Sequence, residues 1–402
     1  MCMTVRWTVV VAALVLLSVG AAWAQPLFTP SQDPLAGARV FGTKGCSKCH
    51  SVNGIGGKIG PDLARIPRPR TFYDLAADMW NHLQRMTARM QELGITRPRL
   101  DARETADLVG FLFTLNYFDL PGNPDAGRKS FTEKRCIVCH TYRGAGGVVG
   151  PTLDHLSQFR SPIYVASAMW NHGPQMAERM KERGIERPAF TGNELRDLIA
   201  YLAPATGGPE EGPVYALPGR PEAGRQLFAA KRCIECHAVG GVGGRVGPDL
   251  VARGVRQSPV EFATTIWNKA PAMAAAMKPR GIALPQLSPA EMADIVAYLY
   301  SVRYFGSAGN IANGWTVATQ KGCLTCHAVS GERGKPASDL TKLRGLDSPA
   351  AVVASLWNHA AVTPPSVTGG QKWEWPLFKP QEMADLIALL QSLGGKPAPA
   401  GG

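Results

Sequence analysis

Four pentapeptides of the form Cys-x-x-Cys-His carry the most reactive side chains of this sequence. They are Cys46, Cys49 and His50; Cys136, Cys139 and His140; Cys233, Cys236 and His237; and Cys323, Cys326 and His327. Two thiols at this spacing can cycle as a redox dithiol or supply part of a tetrahedral zinc site. Followed by histidine, they can also attach a c-type haem, the thiols adding to the vinyl groups and the imidazole reaching the iron from one side. A zinc ribbon needs a second Cys or His pair within each unit, and none is present. A thioredoxin-like dithiol needs βαβ patterning, which is also missing. Four copies in matched contexts therefore point to four covalently bound c-type haems, with the eight cysteines as anchors and His50, His140, His237 and His327 as iron ligands.

The elements that must position these groups are repeated with them. Trp80, Trp170, Trp267 and Trp357, each followed by Asn, step by the same 90, 97 and 90 residues as the histidines. Whole domains are duplicated, and the seven extra residues fall in the Pro/Gly-rich stretch at 204–222. That division suggests a two-plus-two arrangement. Each unit opens with a short segment bearing Gly and an aromatic, then the cysteine motif, a Gly-rich loop, a Trp-Asn helix and a methionine stretch. A last helix closes it: "ETADLVGFLF", "NELRDLIAYL", "EMADIVAYLY" and "EMADLIALLQ". Its apolar residues recur every three or four positions, the period of one buried helix face. The expected fold is all-α. Its parts are a signal peptide at 1–24, domain one at 25–120, domain two at 121–205, a linker at 206–220 and domain three at 221–304. A divergent domain four follows at 305–395, then a flexible tail at 396–402.

The start, "MCMTVRWTVVVAALVLLSVGAAWAQP", has one positive charge, an apolar run and a small-x-small site, as a cleaved secretory signal does. The apolar run is short for a retained anchor. The mature chain is thus expected to be exported, periplasmic or at the outer face of the cytoplasmic membrane, where cysteines ordinarily pair as disulfides. Eight of the nine remain after the signal leaves, but their spacing argues for haem instead. The formal charge of +12 suits an acidic protein partner or anionic lipid. The basic residues are scattered and no nucleic-acid-binding signature accompanies them, so nucleic acid is excluded as a partner.

With Gly and an aromatic in the first helix, CxxCH, a following Gly-Pro, a Met before Gly-Ile and an aromatic in the last helix, each unit resembles the class I cytochrome c family over nearly its whole length. The resemblance implies that Gly60-Pro61, Gly150-Pro151 and Gly247-Pro248 support the proximal histidine through a backbone carbonyl. It implies that Phe41 packs with Phe111, Phe131 with Tyr201 and Phe228 with Tyr298 where the terminal helices cross. It also implies His/Met coordination, which raises the reduction potential relative to harder donors. Two methionines four apart compete in each of three units: Met86 or Met90, Met176 or Met180, Met273 or Met277. The second of each pair precedes Gly-Ile at a fixed distance, "MQELGI", "MKERGI" and "MKPRGI", which favours Met90, Met180 and Met277. The partner methionine then packs at the haem edge. His82 and His172 are rival ligands, but unit three has Lys269 at that position and keeps its methionines, so a surface or propionate-contacting role suits them better. His155 occurs in one unit only and reads as a surface residue.

Unit four departs from this pattern. Its "WNHAAVTPPSVTGG" lacks both methionines, with Val367 or Thr368 nearest the ligand position. Gly-Pro becomes Ala337-Ser338, and the crossing aromatics become Ala318 and Leu389. Either His359 ligates the fourth iron, giving a bis-His haem of lower potential, or that iron is five-coordinate; His359 is the favoured ligand. The sequence therefore predicts a tetrahaem electron carrier between redox protein partners, with no small-molecule substrate unless the fourth haem is open. The two rival readings are an enzyme built around an open fourth haem and a cytochrome subunit of a membrane complex. Trp373 and Trp375 are read as exposed residues that suit a docking interface or equally cover the haem.

Overall fold

The computed structural model describes residues 33–66, 70–115, 117, 119, 121–154, 162–203, 219–251, 258–331, 337–359 and 374–394. The signal segment, most of the linker, the tail, His155, Val367, Thr368 and Trp373 lie outside them.

Each unit is three main helices around one site. The first helices are α1 (Pro34–Thr43), α4 (Pro124–Glu133), α7 (Pro221–Ala230) and α10 (Ile311–Gln320). The middle helices are α2 (Phe72–Glu92), α5 (Pro162–Glu182), α8 (Pro259–Met277) and α12 (Pro349–His359). The last are α3 (Ala102–Thr114), α6 (Glu194–Leu202), α9 (Pro289–Ser301) and α13 (Pro380–Gly394). A one-turn helix α11 (Cys323–Cys326) forms the fourth cysteine motif, while the other three motifs are 3-10 turns. β-structure among the described residues is confined to two-residue hairpins and one bridge behind the haem motifs. The starts of these helices follow local chemistry: Thr71 with Asp74, Asp101 with Glu104, Ser258 with Glu261 and Ser288 with Glu291 form capping boxes.

First and last helices cross closely in every unit. A Cβ at Gly37 would sit 2.0 Å from the Asp107 carbonyl oxygen, and one at Gly127 1.9 Å from that of Asp197. The expected aromatic pairs meet there: Phe41 and Phe111 at 5.5 Å, Phe131 and Tyr201 at 5.8 Å, Phe228 and Tyr298 at 5.8 Å. In unit four Ala318 and Leu389 fill the same place, both fully buried. Two polar ties repeat in all four crossings. Asp107, Asp197, Asp294 and Asp385 accept the backbone N–H that precedes the first helix, at 2.7–2.8 Å. Lys44, Lys134, Lys231 and Lys321 reach Glu104, Glu194, Glu291 and Glu382 at 2.7–3.0 Å. The carboxylates of the first set fix one end of the crossing and the ammonium groups the other, which sets the register of the two helices.

The units do not pair as the linker suggested. Unit one packs on unit four, through α2 and α3 against α12 and α13, and unit two packs on unit three, through α5 against α8. Each contact is a reciprocal clasp made by the Trp-Asn pairs. Trp80 donates its indole N–H to the Pro376 carbonyl at 2.7 Å, while Trp357 donates to Pro98 at 2.8 Å. Trp170 donates to Pro285 and Trp267 to Pro188, both at 2.7 Å. Each following asparagine brackets the partner backbone, as Asn358 does at Leu100 and Asn268 at Phe190. Sequence adjacency does not decide the pairing because a clasp of this kind needs only a complementary unit, whatever the connection between them. The pairs are joined where α3 meets the end of α9. Phe72, Phe113, Tyr117, Tyr300 and Tyr304 form a buried aromatic cluster there, and Tyr300 donates to the Phe113 carbonyl at 2.9 Å.

Candidate functional site

In all four units the cysteine motif follows directly on the first helix, entered through a left-handed residue: Gly45, Arg135, Arg232 or Gly322. In unit one this turn presents both cysteines and the histidine to a single cavity. None of the eight cysteines is in a disulfide. Burial pushes the Cys46, Cys136 and Cys233 thiols up to about 11, and raises that of Cys323 as well. These sulfurs form the inner wall of the site and are poor thiolates at neutral pH.

The histidine is oriented from behind. The Nδ1 atoms of His50, His140 and His237 lie 3.1, 3.0 and 3.0 Å from the carbonyl oxygens of Pro61, Pro151 and Pro248. A backbone carbonyl can only accept, so Nδ1 carries the proton and Nε2 is left with a free lone pair, the arrangement a metal-ligating imidazole needs. Unit four keeps this bond although it has lost Gly-Pro, with His327 Nδ1 2.8 Å from the Ser338 carbonyl. The acceptor is main chain, so the side chain there is free to vary. The preceding position is more demanding. A Cβ on Gly60, Gly150 or Gly247 would lie 2.3–2.5 Å from its histidine ring, and unit four has Ala337 there. The fourth imidazole is therefore held on a different footing from the other three.

Unit one bears a cavity of about 910 Å³ whose lining brings Cys46, Cys49 and His50 together with Met79, His82, Met86 and Met90. The rest of its wall is largely aliphatic or aromatic, as a porphyrin plane requires. Two thiols, an imidazole with a free Nε2 and thioether sulfurs form a donor set that fits haem.

Both candidate methionines, Met86 and Met90, reach this cavity from the same face of α2, Met90 from the last turn, and Met79 lines it about two turns before Met86. The Gly-Ile signal has a structural cause independent of ligation. Gly94 adopts φ 65°, and the Ile95 N–H donates to the Met90 carbonyl at 2.8 Å, a helix-ending Schellman motif. Ile185 and Ile282 do the same to Met180 and Met277. The fixed spacing therefore marks where the helix stops and does not separate the two methionines. His82 lines the cavity but is exposed, its Nδ1 2.8 Å from the Asp78 carbonyl one turn back, and His172 is exposed too.

In unit four the helix that carries methionines elsewhere, α12, is described as far as His359. The His359 and His327 rings lie with centroids 5.6 Å apart, tilted by 40° to one another. A metal between two imidazoles needs about 2 Å to each nitrogen plus a ring radius at either end, roughly 6 Å in all, so these rings lie slightly closer than a ligand pair would. His359 is reached by solvent, yet burial against the protein around it, and then the nearby His327, lower its pKa.

The sequence pattern missed the role of the Trp-Asn pairs. A signal for it exists: a proline follows each tryptophan by 18 or 19 residues, Pro98, Pro188, Pro285 and Pro376. In three of the four the residue before it covers the partner's indole. Arg97 lies 5.7 Å over Trp357 and Arg187 3.7 Å over Trp267, while Trp375 stacks on Trp80 at 4.3 Å. Trp375, read from sequence as an exposed docking residue, is thus spent on an internal contact.

A family model described as "Cytochrome c" matches four stretches of the chain, residues 35–116, 124–205, 221–303 and 311–394. No solved structure matches the chain.

Proposed function

Since the chain belongs to the cytochrome c family, whose chemistry is haem-based electron transfer, we propose that it is an exported tetrahaem carrier passing electrons between periplasmic or membrane-bound redox partners. The observation that supports this best is the fourfold repetition of one device: a cysteine pair beside a histidine whose Nδ1 faces a backbone carbonyl. A carrier needs several such sites held rigidly, and the helix crossings supply that rigidity. No helix among the described residues is long and apolar enough to cross a membrane.

In this reading the cysteines hold the haems and His50, His140, His237 and His327 are the proximal ligands. Met90, Met180 and Met277 are the distal ligands, with Met86, Met176 and Met273 packed beside them. His359 is the distal ligand in unit four. The proximity of His327 and His359 speaks for a closed fourth site and against substrate binding there. Haem with two protein ligands exchanges electrons without opening a coordination position.

The decisive experiment is a redox titration with absorption and electron paramagnetic resonance spectra on protein matured with haem. Four low-spin haems, one of distinctly lower potential, are expected. A high-spin ferric component that shifts with cyanide would replace the carrier reading with the enzyme reading.

A further inference from the structure

We propose that the clasps bring the four haem sites together as two coupled pairs, one with four and two with three, and that Trp357 is the partition between sites one and four. The inference rests on the tetrahaem reading and adds to it which sites are neighbours, an order that the chain sequence does not follow.

The unit-one cavity is closed by a residue of unit four. Trp357 is 7% exposed and lines that cavity beside Met79, His82 and Pro98. Its indole is pinned by the hydrogen bond to Pro98, and Asn358 holds Leu100 on both its N–H and its carbonyl. Trp357 and Met79 also line a void of about 10 Å³ between α2 and α12, shared with Trp80, Leu83 and Val353. Such a void holds about one water molecule. The contact between α2, which lines the unit-one site, and α12 of unit four is therefore tightly packed, with room for about one water. Units two and three repeat the contact: Trp267 is bonded to Pro188 and lies 3.9 Å from the Cβ position of Gly173, which corresponds to Leu83 of unit one. Units one and two share no such clasp among the described residues, although they adjoin in sequence.

Charge is screened weakly across a dry protein partition and strongly across water. The oxidation state of one member of a clasped pair should thus shift the potential of the other, while sites in the other pair respond less. Trp357 acts here as a positioning residue, fixing the partition without ligating iron.

The test uses the full chain matured with haem, titrated by potential, with each component assigned by subtraction in variants lacking one unit's cysteine pair. In Cys323→Ala/Cys326→Ala the unit-one component is expected to shift, with those of units two and three in place. Trp357→Leu is expected to weaken the interaction between the unit-one and unit-four components, again sparing the other two. Trp357→Phe keeps an aromatic wall but loses the indole N–H, and should retain most of the interaction. A shift confined to unit three, no shift in any component, or equal shifts in all four after Trp357→Leu overturns the proposal. So does loss of coupling in Trp357→Phe as large as in Trp357→Leu, since the indole bond would then be the whole effect. A haem count below four in the unaltered chain sinks the tetrahaem reading itself, and this inference with it. Four haems without the pairwise pattern sinks this inference alone.

Discussion

At the scale of single residues, the protein builds one ligand device four times and alters it once. The constant part is the Nδ1 contact to a main-chain carbonyl, which tolerates Pro or Ser as its bearer. The variable part is the candidate distal group, for which three units offer methionines and the fourth offers His359. Replacing Met180 by Ala should convert one haem of four to a high-spin or weakly ligated form and displace its midpoint. Met176→Ala should leave spin state intact, and spectra of the two variants decide between the sulfurs. His359→Ala should turn the lowest-potential component high-spin and open it to cyanide. If that component stays low-spin, another group holds the fourth iron.

At the scale of elements, the helix crossings carry the fold. A methyl group at Gly127 would sit 1.9 Å from the Asp197 carbonyl oxygen, within the main chain of α6, which cannot yield locally. Gly127→Ala should cost about 1–3 kcal/mol or more, as overpacking does, read as a lowered unfolding midpoint in denaturant. The ion pairs at the other end of each crossing are weaker and depend on pH. The Lys231 ammonium, then the Ser288 N–H, hold the Glu291 carboxyl below its ordinary range. Because the folded pKa is the lower one, this contribution is present above the ordinary glutamate value of about 4.3 and is lost as pH falls through that range and below. Glu291→Gln should therefore cost less than about 1 kcal/mol at pH 7 and flatten part of the loss of stability between pH 5 and pH 3. Thermal melts across that interval measure it.

At the scale of the whole molecule, the clasps join units one and four and units two and three, and the aromatic cluster joins the pairs. Asn358→Ala removes a donor and an acceptor from the backbone of Leu100, which is 3% exposed. Leaving buried main-chain groups unpaired costs about 1–3 kcal/mol. The expected result is faster hydrogen exchange at Leu100 and in α12, with the pair of units two and three unaffected. Equal acceleration in both pairs would mean that the clasps are not independent.

The sequence by itself determined the chemistry and the local fold. Cys-x-x-Cys-His spacing, the 90-residue repeat and the glycine–aromatic pairs are consequences of covalent geometry and helix period, and both are written along the chain. The methionine stretch was legible as a ligand region, but the Gly-Ile spacing that ranked its two sulfurs turned out to be a helix stop. Which units meet was decided only by tertiary structure. Trp357 and Pro98 are 259 residues apart, and nothing local distinguishes Pro98 from Pro188, Pro285 or Pro376 as its acceptor. Four near-identical clasps can close in several combinations, and only the packing of all four units together selects one.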